Sequence, residues 1–248
     1  MISAIGRFYR AIFCRGGYGV HSPFAFDLIT NVIEERCMYY CYEMLDNLRL
    51  QLRRENCKIE CGDKALTVKR AMRKFCFSTG GYKLLFRLAN RFRPGKILIV
   101  GSGLGFTPLY VTAYSKGVDC IVFEPEPSIA IIARNMIKKY AHSSISVYDN
   151  NCSESDLSEL KQFDFIVWGK NRPFAADFTL EVFENMLRHI TDESVMVIYG
   201  INESRADKRI WEKLCAHTRV SVTFDVYSFG IVFFTPKLNR KTYKCVPL

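Results

Sequence analysis

The sequence has no long apolar run, since none approaches the roughly 18 consecutive apolar residues that a membrane span needs. Arg7 and Arg10 interrupt its first residues, so we expect no secretory signal peptide. Glycine and proline are scarce, at 15 and 8 of 248 residues, while apolar residues make up 49%. This composition excludes disordered, collagen-like and low-complexity proteins. We expect a cytoplasmic globular protein with one large domain, or one domain with a substantial extension.

The excess of positive charge is unevenly distributed. The chain carries 35 Lys and Arg against 25 Asp and Glu, a formal net charge of +10. Residues 1–95 hold 17 of these cations and 8 of the acids, whereas residues 96–248 hold 18 and 17. A basic part joined to a nearly neutral part indicates that the two have different roles.

Ten cysteines are present, and without a secretory signal we expect them as thiols rather than disulfides. Cys37 and Cys41 form one C-x3-C pair, and Cys57 and Cys61 form another. Zinc sites more often use C-x2-C or C-x4-C, and these pairs fall in helix-like sequence. Two helices could still present four thiolates to one ion, but we expect no metal site.

The first 93 residues read as a mostly helical extension. Residues 2–13 have helical apolar spacing, which fits a helix on the protein's own core or a basic amphipathic helix for a membrane or nucleic acid. Ser22 and Pro23 are typical of a helix start. Residues 55–64 are polar and predict a loop. The predicted helices of this part, after residues 2–13, are 23–35, 39–54, 66–77 and 78–92.

Residues 94–248 alternate between short apolar runs and helical patterns. This alternation predicts a doubly wound α/β domain with a mostly parallel seven-stranded sheet, a Rossmann-like architecture. Tyr227 and Ser228 are too few for a crossover, so the last two strands form an antiparallel hairpin. The predicted strands are 96–100, 120–123, 145–148, 163–168, 194–199, 220–226 and 229–235. The predicted helices are 107–114, 128–140, 154–160, 174–190 and 205–217.

The first strand of the alternation runs into a glycine loop, Gly101-Ser102-Gly103-Leu104-Gly105. Glycines permit a tight turn and close approach of a ligand, and a helix N-terminus offers unpaired N–H donors. Glu124 ends the second strand, where its carboxylate could accept hydrogen bonds from both hydroxyls of a ribose. The alternative is that Glu124 merely caps the following helix. Loop and acid together favour a nucleoside site.

The spacing of the third glycine argues against NAD, because dinucleotide folds favour G-x-G-x-x-G and position 106 is Phe. G-x-G-x-G with a later acid resembles the S-adenosylmethionine (SAM) site of class I methyltransferases. The resemblance covers about residues 94–236. It is closest to relatives of the O-methyltransferases, particularly a little-characterised bacterial group whose helical segment has an H-S-P-F element, matched by residues 21–24. It implies SAM as cofactor, bound by Gly101, Ser102, Gly103, Gly105, Glu124, and Asp149 or Asn150.

Three acidic positions of that family are absent. Ile99 stands two residues before the first glycine, Gly169 at the end of the fourth strand, and Tyr199 at the end of the fifth. Because a hard cation needs oxygen ligands, mostly carboxylates, a metal-dependent mechanism is not expected. The resemblance thus implies a metal-independent methyl transfer to an unknown acceptor, with a catalytically degenerate binding or scaffold protein as the alternative.

No catalytic residue is assigned from the sequence. Each polar residue beyond the strand ends has a simpler structural explanation, although Lys170 and Arg172 together could bind an anionic substrate. His21 lies in the extension that would cover the ligand crevice. The other polar residues beyond the strand ends are Asn171, Tyr199, Asn202 and Glu203.

A small-molecule acceptor is the expected partner, with RNA as an alternative through the basic extension. The cations for RNA would be Arg70, Arg73, Lys74, Arg87, Arg91 and Arg93. The interleaved aromatics are Phe8, Tyr9, Tyr18, Phe75, Phe77, Tyr82, Phe86 and Phe92. Ordinary solvated helix faces explain the same pattern.

Overall fold

A computed structural model describes residues 10, 14–55, 57–61, 64–149, 162–169 and 180–245. Apart from Arg10, the predicted helix of residues 2–13 lies outside the described residues, as does the predicted helix 154–160. The same holds for the predicted site residues Asn150, Lys170, Asn171 and Arg172.

The chain divides into two compact units. One comprises Met1–Arg36, Asp164–Ile166 and Phe178–Leu248, and the other comprises Cys37–Phe163 and Val167–Asp177. The division at residue 93 into an extension and a domain stays a prediction of the sequence.

Helices dominate the first part of the chain, and two of them begin at the predicted caps. The Ser22 hydroxyl accepts a hydrogen bond from the Ala25 N–H (3.3 Å), and the Ser78 hydroxyl accepts one from the Gly81 N–H (3.1 Å). Both serines therefore satisfy a donor that the first helical turn leaves unpaired. The helices are α1 (Pro23–Leu28, continued by a π turn, Ile29–Ile33), α2 (Tyr40–Arg54), α3 (Val68–Phe75) and α4 (Thr79–Phe92).

The prediction of a loop at residues 55–64 is wrong. Strands β1 (Lys58–Cys61) and β2 (Lys64–Thr67) form an antiparallel hairpin in which Lys58 pairs with Thr67. Ile59 and Cys61 alternate with exposed residues and are buried, so these short strands have one apolar face. The helix predicted from residue 66 consequently begins at Val68.

Among the described residues, eight strands form the large sheet, in the order β10-β8-β9-β7-β6-β3-β4-β5. The β3–β4, β4–β5 and β8–β10 pairs are parallel, and the β7–β9 and β8–β9 pairs are antiparallel. The predicted mostly parallel α/β sheet is confirmed, and β10 adds an eighth strand at its edge. The strands are β3 (Lys96–Val100), β4 (Asp119–Phe123), β5 (Ser144–Tyr148), β6 (Phe163–Trp168), β7 (Ile190–Tyr199), β8 (Val222–Val226), β9 (Phe229–Phe233) and β10 (Lys241–Lys244).

In the described ranges, four helices accompany these strands: α5 (Phe106–Thr112), α6 (Pro127–Tyr140), α7 (Leu180–Met186, continued by a 3-10 turn) and α8 (Arg205–Cys215). The predicted hairpin of the last two strands of the alternation is also present, with Val226 paired to Phe229. Within the described ranges, no helix has both the length and the apolar character needed to cross a membrane.

A buried ion pair ties Arg10 to the end of β8. The Arg10 guanidinium donates to both carboxylate oxygens of Asp225, each at 2.7 Å, and to the Asp225 carbonyl at 3.1 Å. Asp225 Oδ1 also accepts from the Tyr227 N–H (2.9 Å) and the Asn202 amide (3.2 Å). Burial lowers the pKa of Arg10, but the bond to Asp225 and its charge outweigh that effect and leave the pKa raised. The buried Asp225 carboxylate therefore has one charged partner and two further hydrogen-bond donors.

The H-S-P-F element lies in the same unit and has a packing role. Ser22 caps α1, Pro23 is its first residue, and the Phe24 ring packs edge-on against Phe233, with 5.1 Å between ring centroids. His21 is exposed. This segment thus contributes to the core through Phe24.

Candidate functional site

The carboxyl ends of β3, β4, β5 and β6 lie side by side. The residue that follows β3, β4 or β6 still donates a backbone hydrogen bond to the neighbouring strand. The Gly101 N–H donates to the Phe123 carbonyl (2.8 Å), and the Glu124 N–H donates to the Tyr148 carbonyl (2.8 Å). The Gly169 N–H donates to the Val100 carbonyl (2.7 Å). The edge where ligands bind in open α/β sheets therefore carries Gly101, Glu124 and Gly169 together.

Glu124 is completely buried and is held by the glycine loop. Its Oε2 accepts from the Ser102 N–H (2.8 Å) and from the Ser102 hydroxyl (2.6 Å). Oε1 accepts a longer bond from the Glu126 N–H (3.4 Å), and Glu126, rather than Glu124, is the N-cap residue of α6. The principal bonds of Glu124 thus run to the loop, and helix capping does not account for them.

The loop turns into α5 with several residues in the left-handed region, among them Gly105, whose φ is +90°. A Cβ at Gly105 would lie 3.0 Å from Met136 Cβ and 3.2 Å from Ala133 Cα, both on α6. The third glycine is therefore required by its backbone angle and by close contact with α6.

Residues from α3 and α4 cover the loop, which the sequence did not predict in detail. The Cys76 thiol (3.2 Å) and the Tyr82 hydroxyl (3.4 Å) both donate to the Gly103 carbonyl. Burial, together with the neighbouring Cys76, raises the pKa of Tyr82, so this hydroxyl stays a proton donor. No sequence motif marks these contacts, since Cys76 and Tyr82 lie more than 20 residues before Gly103 and meet it only through tertiary packing.

Thr107, in the first turn of α5, is also completely buried. Its hydroxyl oxygen has no hydrogen-bond partner among the described residues. Buried hydroxyls usually have a partner, so this one is a candidate contact for a polar ligand group.

Asp149 directly follows β5. Its carboxylate accepts from the Arg134 guanidinium (3.1 Å), which also donates to the Val147 carbonyl (3.1 Å). The rings of Phe123 and Tyr148 stack next to it, with 5.6 Å between centroids. Asp149 is therefore oriented by Arg134, a contact that the sequence did not indicate.

The structure shows why an acid could not simply be placed at position 99 or 169. Ile99 is completely buried within β3. A Cβ at Gly169 would lie 2.6 Å from the Val100 carbonyl oxygen and 2.9 Å from the Gly101 carbonyl oxygen. The close approach of two backbones therefore requires glycine at position 169. The third replacement, Tyr199, packs edge-on against Phe229, with 5.1 Å between centroids.

The alternative zinc site is not formed by the described residues. Within them, no three His, Cys, Asp or Glu side chains are grouped so that they could hold a metal ion. Cys37 and Cys57 are exposed, whereas Cys41 and Cys61 are buried. Cys61 lies on β1 rather than on a helix, so the helical spacing expected for Cys57 and Cys61 does not apply. In extended chain, the four residues from Cys57 to Cys61 span roughly 13 Å. None of the nine described cysteines forms a disulfide.

The remaining candidates are placed as follows. Asn202 donates to Asp225 and, at 2.8 Å, to the Tyr227 carbonyl, so it supports the hairpin.

Several residues proposed for RNA binding are buried. They are Arg87 and the aromatic residues Phe75, Phe77, Tyr82 and Phe86. Tyr18 is exposed. Most of the described aromatics proposed for base stacking therefore belong to the core.

Neither a protein-family model nor a curated protein matches this sequence. Solved structures do match in fold. An O-methyltransferase from Bacillus cereus in complex with S-adenosylhomocysteine (SAH) aligns over 84% of this chain and 96% of its own, with a TM-score of 0.55 and 16% identity. A methyltransferase from Geobacter sulfurreducens aligns over 77% and 89%, with a TM-score of 0.56 and 13% identity. TomG of Streptomyces achromogenes, an O-methyltransferase of tomaymycin synthesis in complex with SAM, aligns over 80% and 100%, with a TM-score of 0.52 and 16% identity.

These likenesses and the strand order show that the chain has the class I methyltransferase fold, as the sequence predicted. The residues present fit the cofactor of that fold in two respects. A carboxylate has about four acceptor positions, so Glu124 can accept hydrogen bonds from a ribose while the Ser102 N–H stays bonded to it. The Thr107 hydroxyl, without a partner in the described structure, offers a second polar contact beside the loop.

Proposed function

We propose that this protein is a SAM-dependent methyltransferase that transfers a methyl group to a small-molecule acceptor without a metal ion. The observation that carries the proposal is the pairing of Glu124, at the end of β4, with Ser102 of the glycine loop. A buried carboxylate fixed against such a loop is the acceptor that a ribose diol requires at this edge of the sheet.

In this proposal, Gly101, Ser102, Gly103 and Gly105 line the methionine and ribose portions of the cofactor. Glu124 accepts hydrogen bonds from the ribose hydroxyls. Asp149 or Asn150 lies beside the adenine, and Arg134 keeps the Asp149 carboxylate oriented. SAM would supply a methyl group on a sulfonium, which is reactive enough to transfer without activation by a metal.

Ser102 and Glu124 are completely buried, so binding must uncover them. The Ser102 hydroxyl is the group that a ribose hydroxyl would replace at Glu124 Oε2, while the Ser102 N–H keeps its bond to the carboxylate. The exchange conserves the number of hydrogen bonds to the carboxylate, so it need not leave a buried acceptor unpaired.

The chain's contribution to the chemistry is placement. Holding the acceptor atom in line with the methyl group supplies much of the rate of such a displacement. With Ile99, Gly169 and Tyr199 at the positions of the family's acids, this edge of the sheet offers a hard cation no carboxylate at those positions. A metal-independent transfer is therefore the form of the reaction that these residues favour.

Calorimetry with SAM and SAH tests the proposal. We expect the wild-type protein to bind, and Glu124→Ala to weaken binding roughly 100-fold, because two hydrogen bonds to a charged acceptor are lost. Asp119→Ala is the matched control, since it removes an exposed acid at the opposite end of β4 and should leave affinity unchanged. Mass spectrometry of ligand retained through purification gives a second readout. Absence of binding by the wild-type protein at millimolar cofactor would refute the proposal.

A non-catalytic descendant of a methyltransferase is the second candidate. The observation in its favour is Gly169, where backbone contact prevents the family's acid from being accommodated. It predicts cofactor binding that depends on Glu124 without methyl transfer to any acceptor tested. Transfer of a radiolabelled methyl group to a defined acceptor would exclude it.

A further inference from the structure

A cavity lies between α2, α3 and the start of α4, within one compact unit. Its volume is about 750 Å³, which is within the usual range of ligand sites. Its walls include Arg49 and Arg53 of α2, Lys69 and Arg73 of α3, and Ser78 and Thr79 at the start of α4. Neither Glu124 nor any residue of the glycine loop lines the cavity, and the link between the two places is Cys76, which lines the cavity and donates to the Gly103 carbonyl.

The charge of this cavity is not balanced by its own residues. Asp46 is the one acid among the lining residues, against the four cations Arg49, Arg53, Lys69 and Arg73. Asp46 already binds Lys83 (3.0 Å) and accepts from the Tyr110 hydroxyl (2.5 Å). The first turn of α4 contains no acidic residue, so its dipole adds positive potential at the same place.

Arg49 is the most buried of these cations, and its hydrogen bonding is incomplete. Its side chain is 13% exposed, and its guanidinium donates to the Thr79 hydroxyl (2.7 Å) and the Phe77 carbonyl (3.1 Å). The nearest oxygen of Asp46 is 3.9 Å away. Arg49 Nε is buried and has no partner in the described part of the chain. Because its two hydrogen-bond acceptors are neutral oxygens, the charge of this guanidinium can attract an anion in the cavity.

Leu50, Met72 and Phe77 give the same cavity an apolar wall. We propose that this cavity is a binding site for a small anionic molecule with a phosphate or carboxylate group and an apolar, preferably aromatic, portion. The anionic group binds Arg49 and the neighbouring cations of α2 and α3, and the apolar portion packs on Leu50, Met72 and Phe77. The proposal stands independently of SAM binding, because none of these residues belongs to the proposed cofactor site.

Two pairs of neighbouring cations provide matched variants. Arg53 and Lys69 line the cavity, whereas the adjacent Arg54 and Arg70 are not among its lining residues, and all four are exposed. Arg53→Glu/Lys69→Glu and Arg54→Glu/Arg70→Glu therefore change the net charge equally, and neither removes a buried side chain. Calorimetry with phenyl phosphate, benzoate and inorganic phosphate, and with phenol as a neutral control, measures binding to each.

We expect phenyl phosphate or benzoate to bind the wild-type protein more tightly than inorganic phosphate or phenol does. The cavity pair should weaken this binding at least about tenfold, and the control pair less than about threefold. The ratio of the affinities for phenyl phosphate and benzoate distinguishes a phosphate ligand from a carboxylate ligand.

Two results overturn the proposal: equal weakening of binding by the cavity variant and the control variant, or no binding of either aryl anion at millimolar concentration. Binding of RNA alone, weakened by the cavity pair, also overturns it in favour of a nucleic-acid surface. SAM calorimetry on the cavity pair should match the wild type, so failure of either proposal is seen separately.

Discussion

Arg10 and Arg49 are both largely buried, at 14% and 13% exposure of their side chains, yet their surroundings differ. Arg10 makes two bonds of 2.7 Å to Asp225, and the same carboxylate accepts from Asn202 and Tyr227. Arg49 binds a hydroxyl and a carbonyl, and its nearest carboxylate is shared with Lys83. Each arginine lines a cavity, of about 500 and 750 Å³ respectively.

The difference separates a structural cation from a binding cation. Where a buried guanidinium has a carboxylate of its own, removing one partner leaves the other charge uncompensated, which is costly. A buried guanidinium that binds neutral oxygens contributes less to the free energy of unfolding. Its charge remains available to a ligand. This distinction has measurable consequences for the free energy of unfolding.

The largest effect is expected for Asp225→Ala. The substitution leaves Arg10 buried without a counter-ion and removes the acceptor of two further donors. We expect a loss of about 3–5 kcal/mol in the free energy of unfolding, measured by chemical denaturation. Asp192→Ala is the control, because Asp192 forms an exposed pair with Arg219 at 3.4 Å, worth less than about 1 kcal/mol. Similar losses in the two variants would contradict the structural role of Asp225.

An intermediate effect is expected when each arginine is replaced by methionine, which keeps most of its length. Arg10→Met should cost about 3 kcal/mol, since Asp225 becomes an unpaired buried charge. Arg49→Met should cost only about 1 kcal/mol, because Asp46 keeps Lys83 and Tyr110. Denaturation curves for the two variants under one buffer measure the difference. If Arg49→Met is more destabilising than Arg10→Met, Arg49 is a structural cation and its contrast with Arg10 is wrong.

The smallest effect concerns Cys41, on the same helix as Asp46 and Arg49. Burial, reinforced by the nearby Asp46 charge, raises the pKa of Cys41 to about 11. A raised pKa means less thiolate below it, so at pH 8 roughly one Cys41 in a thousand is ionised. Cys37 is exposed and should be alkylated first, as peptide mass spectrometry can follow. Equal rates at Cys37 and Cys41 would show that α2 does not stay packed in solution.

Much of the fold could be predicted because its signals are local. Strand β6 begins and ends where its apolar run predicts, and Ser22 and Ser78 mark helix starts through their own side chains. The β1–β2 hairpin and β10 were missed because each strand has four residues and few apolar positions. In β10, Tyr243 is the buried residue among exposed neighbours, so no clear alternation is visible.

The candidate site was predictable in position but not in its contacts. The glycine spacing and Glu124 located the edge of the sheet, since strand ends can be counted along the chain. The bonds from Cys76 and Tyr82 to Gly103 depend on how α3 and α4 pack, which no local pattern specifies. The cavity around Arg49 was missed for the same reason, because its cations come from two helices that meet only through tertiary packing.

The contact at Gly169 has a consequence for protein engineering. With the Val100 carbonyl oxygen 2.6 Å from where a Cβ would be, a designer cannot install a carboxylate at this strand end by exchanging one side chain. The two strands would first have to separate, and that requires compensating changes in the residues that pack on them. Conversion of this scaffold into a metal-dependent catalyst therefore begins with the backbone, and the ligands can be introduced only afterwards.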